Sequence, residues 1–156
     1  MKKRLLGATS LSSLNLHSFD KGILVNAPSV LITPASSYLL GVLNSKLGDY
    51  YIRQQGVTRN GGYVEYKPMF VQKLPVPLPS EPNQNLIDAI ESEVQSALID
   101  RKTGRIGDAQ EHEKRIDGIV YELYELAPND VAEIEQTIPD AESISEVLFE
   151  ASPNAM

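Results

Sequence analysis

The sequence predicts an α+β chain: a small mixed region of short strands around one helix, followed by an antiparallel α-helical hairpin. Three observations carry this expectation. Short β-branched runs, Ile23-Leu24-Val25 and Val30-Leu31-Ile32, come early in the chain. Apolar residues then recur at helical spacing from Tyr38 to Tyr51. Beyond a proline-rich stretch, two more periodic segments follow, joined by a short connection that carries Gly104 and Gly107.

Taken in order, residues 1–20 are rich in Ser, Leu and Asn without a clean period, and read as poorly ordered or as a displaced strand. Asn26-Ala27-Pro28-Ser29 is turn-like, so the two β-branched runs around it form a hairpin, and Pro34 ends the second run. Ser36 or Ser37 caps a helix over 37–55. Its face is Tyr38, Leu39, Val42, Leu43, Leu47, Tyr50 and Tyr51, and Gly56 is placed to stop it. Residues 56–62 are a loop by composition. Tyr63-Val64-Glu65-Tyr66 alternates as a short strand, and Met69-Phe70-Val71 is a candidate for another.

In Leu74-Pro75-Val76-Pro77-Leu78-Pro79 the alternate prolines exclude a helix and a central strand, which makes this the natural domain boundary. Asn83 or Asn85 caps the next helix, whose seam is Ile87, Ile90, Val94 and Ala97 and which stops between Asp100 and Gly104. A third helix runs from about Asp108, with seam His112, Ile116, Val120 and Leu123, to Pro128. Residues 129–137, capped by Asn129, and 140–149 form short helices, and the tail from Ala151 frays.

The net charge of −7 is unevenly placed. Residues 1–80 hold nine basic and three acidic side chains, a net of +6; the rest hold five basic and eighteen acidic, a net of −13. The first part suits phosphates, and the second suits solvent or protein. The absence of cysteine removes disulfides, thiolate zinc sites and cysteine nucleophiles, and fits a reducing cytoplasm. The basic start Met1-Lys2-Lys3-Arg4 mimics a signal peptide, but Gly7 to Asn15 is too polar for its apolar stretch. No apolar run of about eighteen residues is present, so no membrane span is expected.

The sequence has no glycine-rich phosphate loop and no GxGxxG after a strand. Its two histidines, His17 and His112, stand in different segments, and His112 reads as the boundary residue of a helical seam rather than a metal ligand. The many carboxylates after residue 80 read as a solvated helical face, and no nucleophile–base–orienter set is apparent. The chain is therefore not expected to be an enzyme.

Residues 50–67 concentrate what nucleic-acid readers use. Arg53, Gln55, Thr58, Arg59, Asn60, Tyr63, Tyr66 and Lys67 are the candidate DNA-binding residues. Arginine pairs with guanine edges or clamps phosphate, and Asn and Gln match adenine edges. Gly56, Gly61 and Gly62 would let backbone amides approach an anion. The alternative is that the tyrosines are core or edge aromatics and the glycines simply make turns.

The words Tyr38-Leu39-Leu40-Gly41-Val42-Leu43-Asn44-Ser45-Lys46-Leu47 and Tyr63-Val64-Glu65-Tyr66-Lys67-Pro68-Met69-Phe70-Val71-Gln72-Lys73-Leu74-Pro75-Val76-Pro77 carry a resemblance. They are similar to the C-terminal target-recognition region of type IIG restriction–modification enzymes, and more distantly to type I specificity subunits. Ile116-Asp117-Gly118-Ile119-Val120-Tyr121-Glu122-Leu123-Tyr124-Glu125-Leu126 resembles the "ID-x-LVY-x-LYGL" signature of the helix that follows in that family.

The resemblance spans roughly residues 22–136. It implies that 22–79 is the end of a target-recognition domain with its proline-rich exit, that 83–127 is a helical hairpin spacer, and that 128–156 is short acidic helices and tail; residues 1–21 precede them. It also implies duplex DNA and a catalytic methyltransferase or nuclease domain or subunit as partners. S-adenosylmethionine and magnesium are implied for the parent enzyme alone, because the family's cofactor loop, "NPPY" and nuclease motifs are absent from this sequence. The expected function is thus a non-catalytic, sequence-specific duplex-DNA recognition module in the cytoplasm, with no membrane. The alternative is an acidic protein-interaction module that forms a homodimer through helices 85–100 and 108–126.

Overall fold

The structure, a computed structural model, describes residues 36–55 and 68–138 in full, together with the backbone of five short strands. The strands are β1 (Arg4–Gly7), β2 (Ser10–Leu11), β3 (Leu16–Phe19), β4 (Val30–Ile32) and β5 (Val64–Glu65). They pair antiparallel as β3-β1-β4 and β2-β5. The helices are α1 (Ser37–Asn44), α2 (Lys46–Gln55), α3 (Pro68–Val71), α4 (Gln84–Lys102), α5 (Ile106–Leu123) and α6 (Pro128–Thr137).

The α+β expectation is overturned. Helix accounts for 79 % of the fully described residues, and no strand lies among them. Among the fully described residues, the helices of the 37–55 region pack on α4 and α5. Short apolar runs do not distinguish strand from helix, and Met69-Phe70-Val71 shows why. These residues are helical in α3, with Pro68 at the first helical position, where its missing N–H costs nothing. Val30–Ile32 does form a strand, but pairs with β1; its expected hairpin partner, residues 23–25, lies outside the described residues. So do Gly56, the expected helix over 140–149 and the tail.

The helix expected over 37–55 is two helices. Ser36 caps α1, its Oγ accepting from the Leu39 N–H at 3.0 Å. The chain then turns at Ser45, which has extended backbone angles and is almost fully buried. Its Oγ donates to the Val42 carbonyl (2.7 Å) at the end of α1 and accepts from the Gly48 N–H (3.2 Å) in the first turn of α2. One hydroxyl thus satisfies an orphan carbonyl and an orphan amide at the same corner. The corner is tight: a Cβ on Gly48 would stand 2.6 Å from the Val42 carbonyl oxygen and 2.9 Å from that of Leu43.

The hairpin α4–α5 supplies the other wall of the core. The α4 seam Ile87, Ile90, Val94 and Ala97 is buried, as are Ala109, Ile116, Val120 and Leu123 of α5. Against these lie Tyr38, Leu40, Val42, Leu43 and Ile52. Burying one such large aliphatic side chain contributes about 1.5–3 kcal/mol. Carboxylates of the hairpin also reach the amide ends of the two short helices. Glu91 Oε1 accepts from the Tyr38 N–H (3.4 Å) of α1, and Asp117 Oδ1 from the Lys46 N–H (2.8 Å) of α2. Asp117 and Asp100 are buried, which corrects the reading of the acidic residues after position 80 as a solvated face.

Both long helices end in the same way. In α4 the Arg105 N–H returns to the Asp100 carbonyl (2.8 Å) and the Gly104 N–H to that of Arg101 (3.2 Å), with Gly104 at φ +79°. In α5 the Leu126 N–H returns to Tyr121 (3.1 Å) and the Glu125 N–H to Glu122 (2.9 Å), but the left-handed position is held by Glu125 at φ +52°. This is the Schellman arrangement, for which glycine is the ordinary residue. A side chain there costs on the order of 1–2 kcal/mol. Pro128, expected to end the third helix, instead opens α6, while α5 stops at Leu123.

Two substitutions test this account by chemical denaturation. Gly48→Ala should lower stability by about 1–3 kcal/mol, because the methyl meets backbone rather than a movable side chain. Glu125→Gly should raise it by about 1 kcal/mol by relieving the left-handed strain.

Candidate nucleic-acid interface

Of the eight residues singled out in the sequence, two are described with side chains, Arg53 and Gln55. Both lie in the last turn of α2. Thr58, Arg59, Asn60, Tyr63, Tyr66 and Lys67 lie outside the residues whose side chains are described; the backbone of β5 falls between Tyr63 and Tyr66. Gln55 is exposed. Arg53 is half-buried and binds Asp49 one turn earlier, Nε and Nη2 each 3.1 Å from Asp49 Oδ2. Asp49 is itself buried, so this pair helps to hold the arginine in place on the helix.

The two ends of the 56–67 segment are firmly held. On one side, α2 is anchored through Ser45, the Asp117 cap and Ile52, which is fully buried. On the other, α3 buries Val71 and half-buries Phe70. The chain then runs through the proline segment, which three tyrosines tie down. Tyr51 of α2 donates to the Lys73 carbonyl (2.9 Å), Tyr124 after α5 to that of Pro75 (2.8 Å), and Tyr38 of α1 to that of Pro77 (2.9 Å).

The three acceptors stand at alternate residues, and prolines have carbonyls to offer but no amide. Helices α1 and α2 and the residue that follows α5 each contribute one hydroxyl to the same strap. Burial pushes the Tyr38 and Tyr124 hydroxyls above the ordinary tyrosine range, Tyr124 far above it, with repulsion from Tyr38 adding to the effect. None of this clamp was legible beforehand; the tyrosine spacing marks helix faces and says nothing of the distant carbonyls.

A second polar cluster closes the tip of the hairpin. His112 Nδ1 is 2.5 Å from Glu93 Oε2, and Nε2 is 3.4 Å from Asp100 Oδ2. Arg115 reaches the same Glu93 oxygen at 3.1 Å, and Arg105 binds Asp100. Burial works against the charge on Glu93, but the hydrogen bonds from His112 and Arg115 together hold its carboxyl below the usual range. Arg101 meets Glu113 at 2.6 Å across the exposed side. The sequence marked His112 as the edge of a seam, and the structure places it there, half-buried between two carboxylates. Each member of the cluster has partners within it, so the cluster ties α4 to α5.

No family model, no curated protein and no solved structure matches this chain.

Two measurements probe the anchoring. Asp117→Ala should cost about 1–3 kcal/mol by leaving the first amide of α2 without its acceptor, and Asp117→Asn, which keeps an acceptor, should cost less. The tyrosine clamp gives a pH dependence with a definite sign. Because the folded Tyr38 and Tyr124 hydroxyls titrate above the unfolded value of about 10, the contribution of these two is complete below that pH and is lost as pH rises through the alkaline range. Denaturation midpoints should fall above about pH 10 in the natural protein. They should fall less in a Tyr38→Phe/Tyr124→Phe variant, which begins about 1–3 kcal/mol less stable.

Proposed function

We propose that this chain is a sequence-specific duplex-DNA recognition module of a restriction–modification system. It works in the cytoplasm beside a methyltransferase or nuclease domain or subunit that supplies the chemistry. The observation that carries the reading is where the separate words of the resemblance meet. Tyr38 of the first word bonds to Pro77 at the end of the second, and Lys46 of the first to Asp117 of the "ID" signature. Tyr124 of that signature bonds to Pro75. Words far apart in sequence, each too short to mean much alone, are joined by specific hydrogen bonds into one scaffold. A target-recognition end requires such a scaffold, because base readout depends on a loop held in register.

On this reading the 56–67 segment is the reader. Arg59 and Asn60 address base edges, Lys67 and Arg53 address phosphates, and Thr58, Tyr63, Tyr66 and Gln55 supply further polar contacts. An arginine fork on a guanine edge discriminates by about 1–3 kcal/mol. The alternative, an acidic dimerisation module, finds support in the exposed Leu98, Ile99 and Ile106 near the hairpin tip. The seams of the two helices are already buried within one chain, so a second copy would have to use those exposed residues instead.

Anisotropy titration against a pool of short duplexes, at two salt concentrations, tests the first reading. Affinity should fall steeply with salt, and Arg59→Ala should weaken binding about tenfold. An unchanged affinity in that variant would count against the model. A concentration-dependent dimer by light scattering, with no affinity for DNA, would favour the alternative.

A further inference from the structure

One face of α2 carries Lys46, Tyr50 and Arg53 at steps of four and three residues, a stripe that leads towards the 56–67 segment. Lysine, tyrosine and arginine are side chains that bind backbone phosphate. Here each is held by a carboxylate. Arg53 is held by Asp49 of its own helix. The other two are held by α6: Lys46 binds Glu135, and the Tyr50 hydroxyl donates to Glu133 Oε1 at 2.5 Å. Tyr121 of α5 donates to the second oxygen of Glu135 at 2.7 Å, and Ile134 between the two glutamates is buried.

The bond to Glu133 pushes the Tyr50 hydroxyl above its ordinary range, as expected for a donor facing a charged acceptor. The composition of the same region is independent of this geometry. Residues 128–156 hold seven carboxylates and no Lys, Arg or His, an amount equal to the entire net charge of the chain.

We propose that α6 is an internal competitor for DNA, with Glu133 and Glu135 occupying on α2 the place that a backbone phosphate takes in the complex. The inference rests on the DNA-recognition reading and adds its regulation. A carboxylate and a phosphate offer the same charge-assisted acceptors to lysine and tyrosine. The Lys46–Glu135 pair is half-sheltered and Ile134 is buried, so the two carboxylates yield only to a duplex that brings several phosphates at once. The acidic end of the chain thereby raises the threshold for binding. Non-specific contacts, which depend on phosphates alone, suffer proportionally more than a site that also gains base contacts.

The test uses the full chain and three proteins: the natural sequence, Glu133→Gln/Glu135→Gln, and Glu81→Gln/Glu111→Gln. The last removes the same charge from exposed positions that bond to no residue of α2. Glutamine keeps an acceptor for Tyr50 and Tyr121, so the fold is retained. Each protein is titrated by anisotropy with a random-sequence duplex at low salt. The α6 variant should bind about three- to fivefold more tightly than the natural chain. The control variant should gain less, and adding Lys46→Gln to the α6 variant should remove most of its gain.

Equal gains in both variants would reduce the effect to overall charge and overturn the proposal. So would DNA binding by the natural chain with no gain in the α6 variant, and either result leaves the DNA-recognition reading intact. If none of the three proteins binds DNA, that reading falls and the proposal falls with it.

Discussion

The corner at Ser45 is the constraint on which the described fold depends. Two helices of eight and ten residues are too short to persist alone, so their ends must be satisfied from outside. Ser45 serves both at once, donating to the end of α1 and accepting from the start of α2. Its neighbour Gly48 lets the two backbones approach within the distance that one hydroxyl can span. The same economy appears where α1 crosses α4. A Cβ on Gly41 would stand 2.6 Å from an Ile90 methyl and 3.0 Å from a Val94 methyl, so only glycine leaves room for so close a crossing.

The hairpin does more than cover the apolar side of this corner. Glu91 and Asp117 lend carboxylates to the amide ends of α1 and α2, where the helix dipole favours negative charge. The proline strap completes the arrangement from the opposite direction, since its carbonyls accept from tyrosines on α1, on α2 and just after α5. Short helices, strap and hairpin are therefore interdependent: each supplies a donor or acceptor that another lacks. Helices α2 and α3, on either side of the 56–67 segment, both belong to this framework.

Much of the helical content was legible in the sequence, because apolar periodicity reports which face of a helix is buried whatever it is buried against. The seam of α4 and the Ile116, Val120 and Leu123 positions of α5 are the buried faces, and Ser36 is the cap of α1. The break at Ser45 was not legible. A serine inside a periodic run looks like an ordinary helical residue, and its capping role depends on a fold that also brings Asp117 to the next amide from 71 residues away. Asp117 and Asp100 were misread for the same reason: a carboxylate looks solvated until its partner is known. Fold class failed because the fully described residues are mostly helical, and Met69-Phe70-Val71, weighed as a strand, is helical in α3. Of the candidate site, Arg53 was singled out by its chemical type alone, and its pairing with the buried Asp49 belongs to packing and not to composition.

By itself, the sequence determined the faces of the long helices, the non-helical proline segment and the division into a basic and an acidic part. These follow from local rules: the turn of a helix, the missing amide of proline, and the sum of charges. Only the tertiary structure decided that α1 and α2 part at Ser45, that three tyrosines share one strap, and that the acids of α6 lie on the lysine and tyrosine of α2. Those are hydrogen bonds and ion pairs between distant residues. Their partners are chosen by which surfaces the buried apolar faces bring together, and no periodicity along the chain encodes that choice.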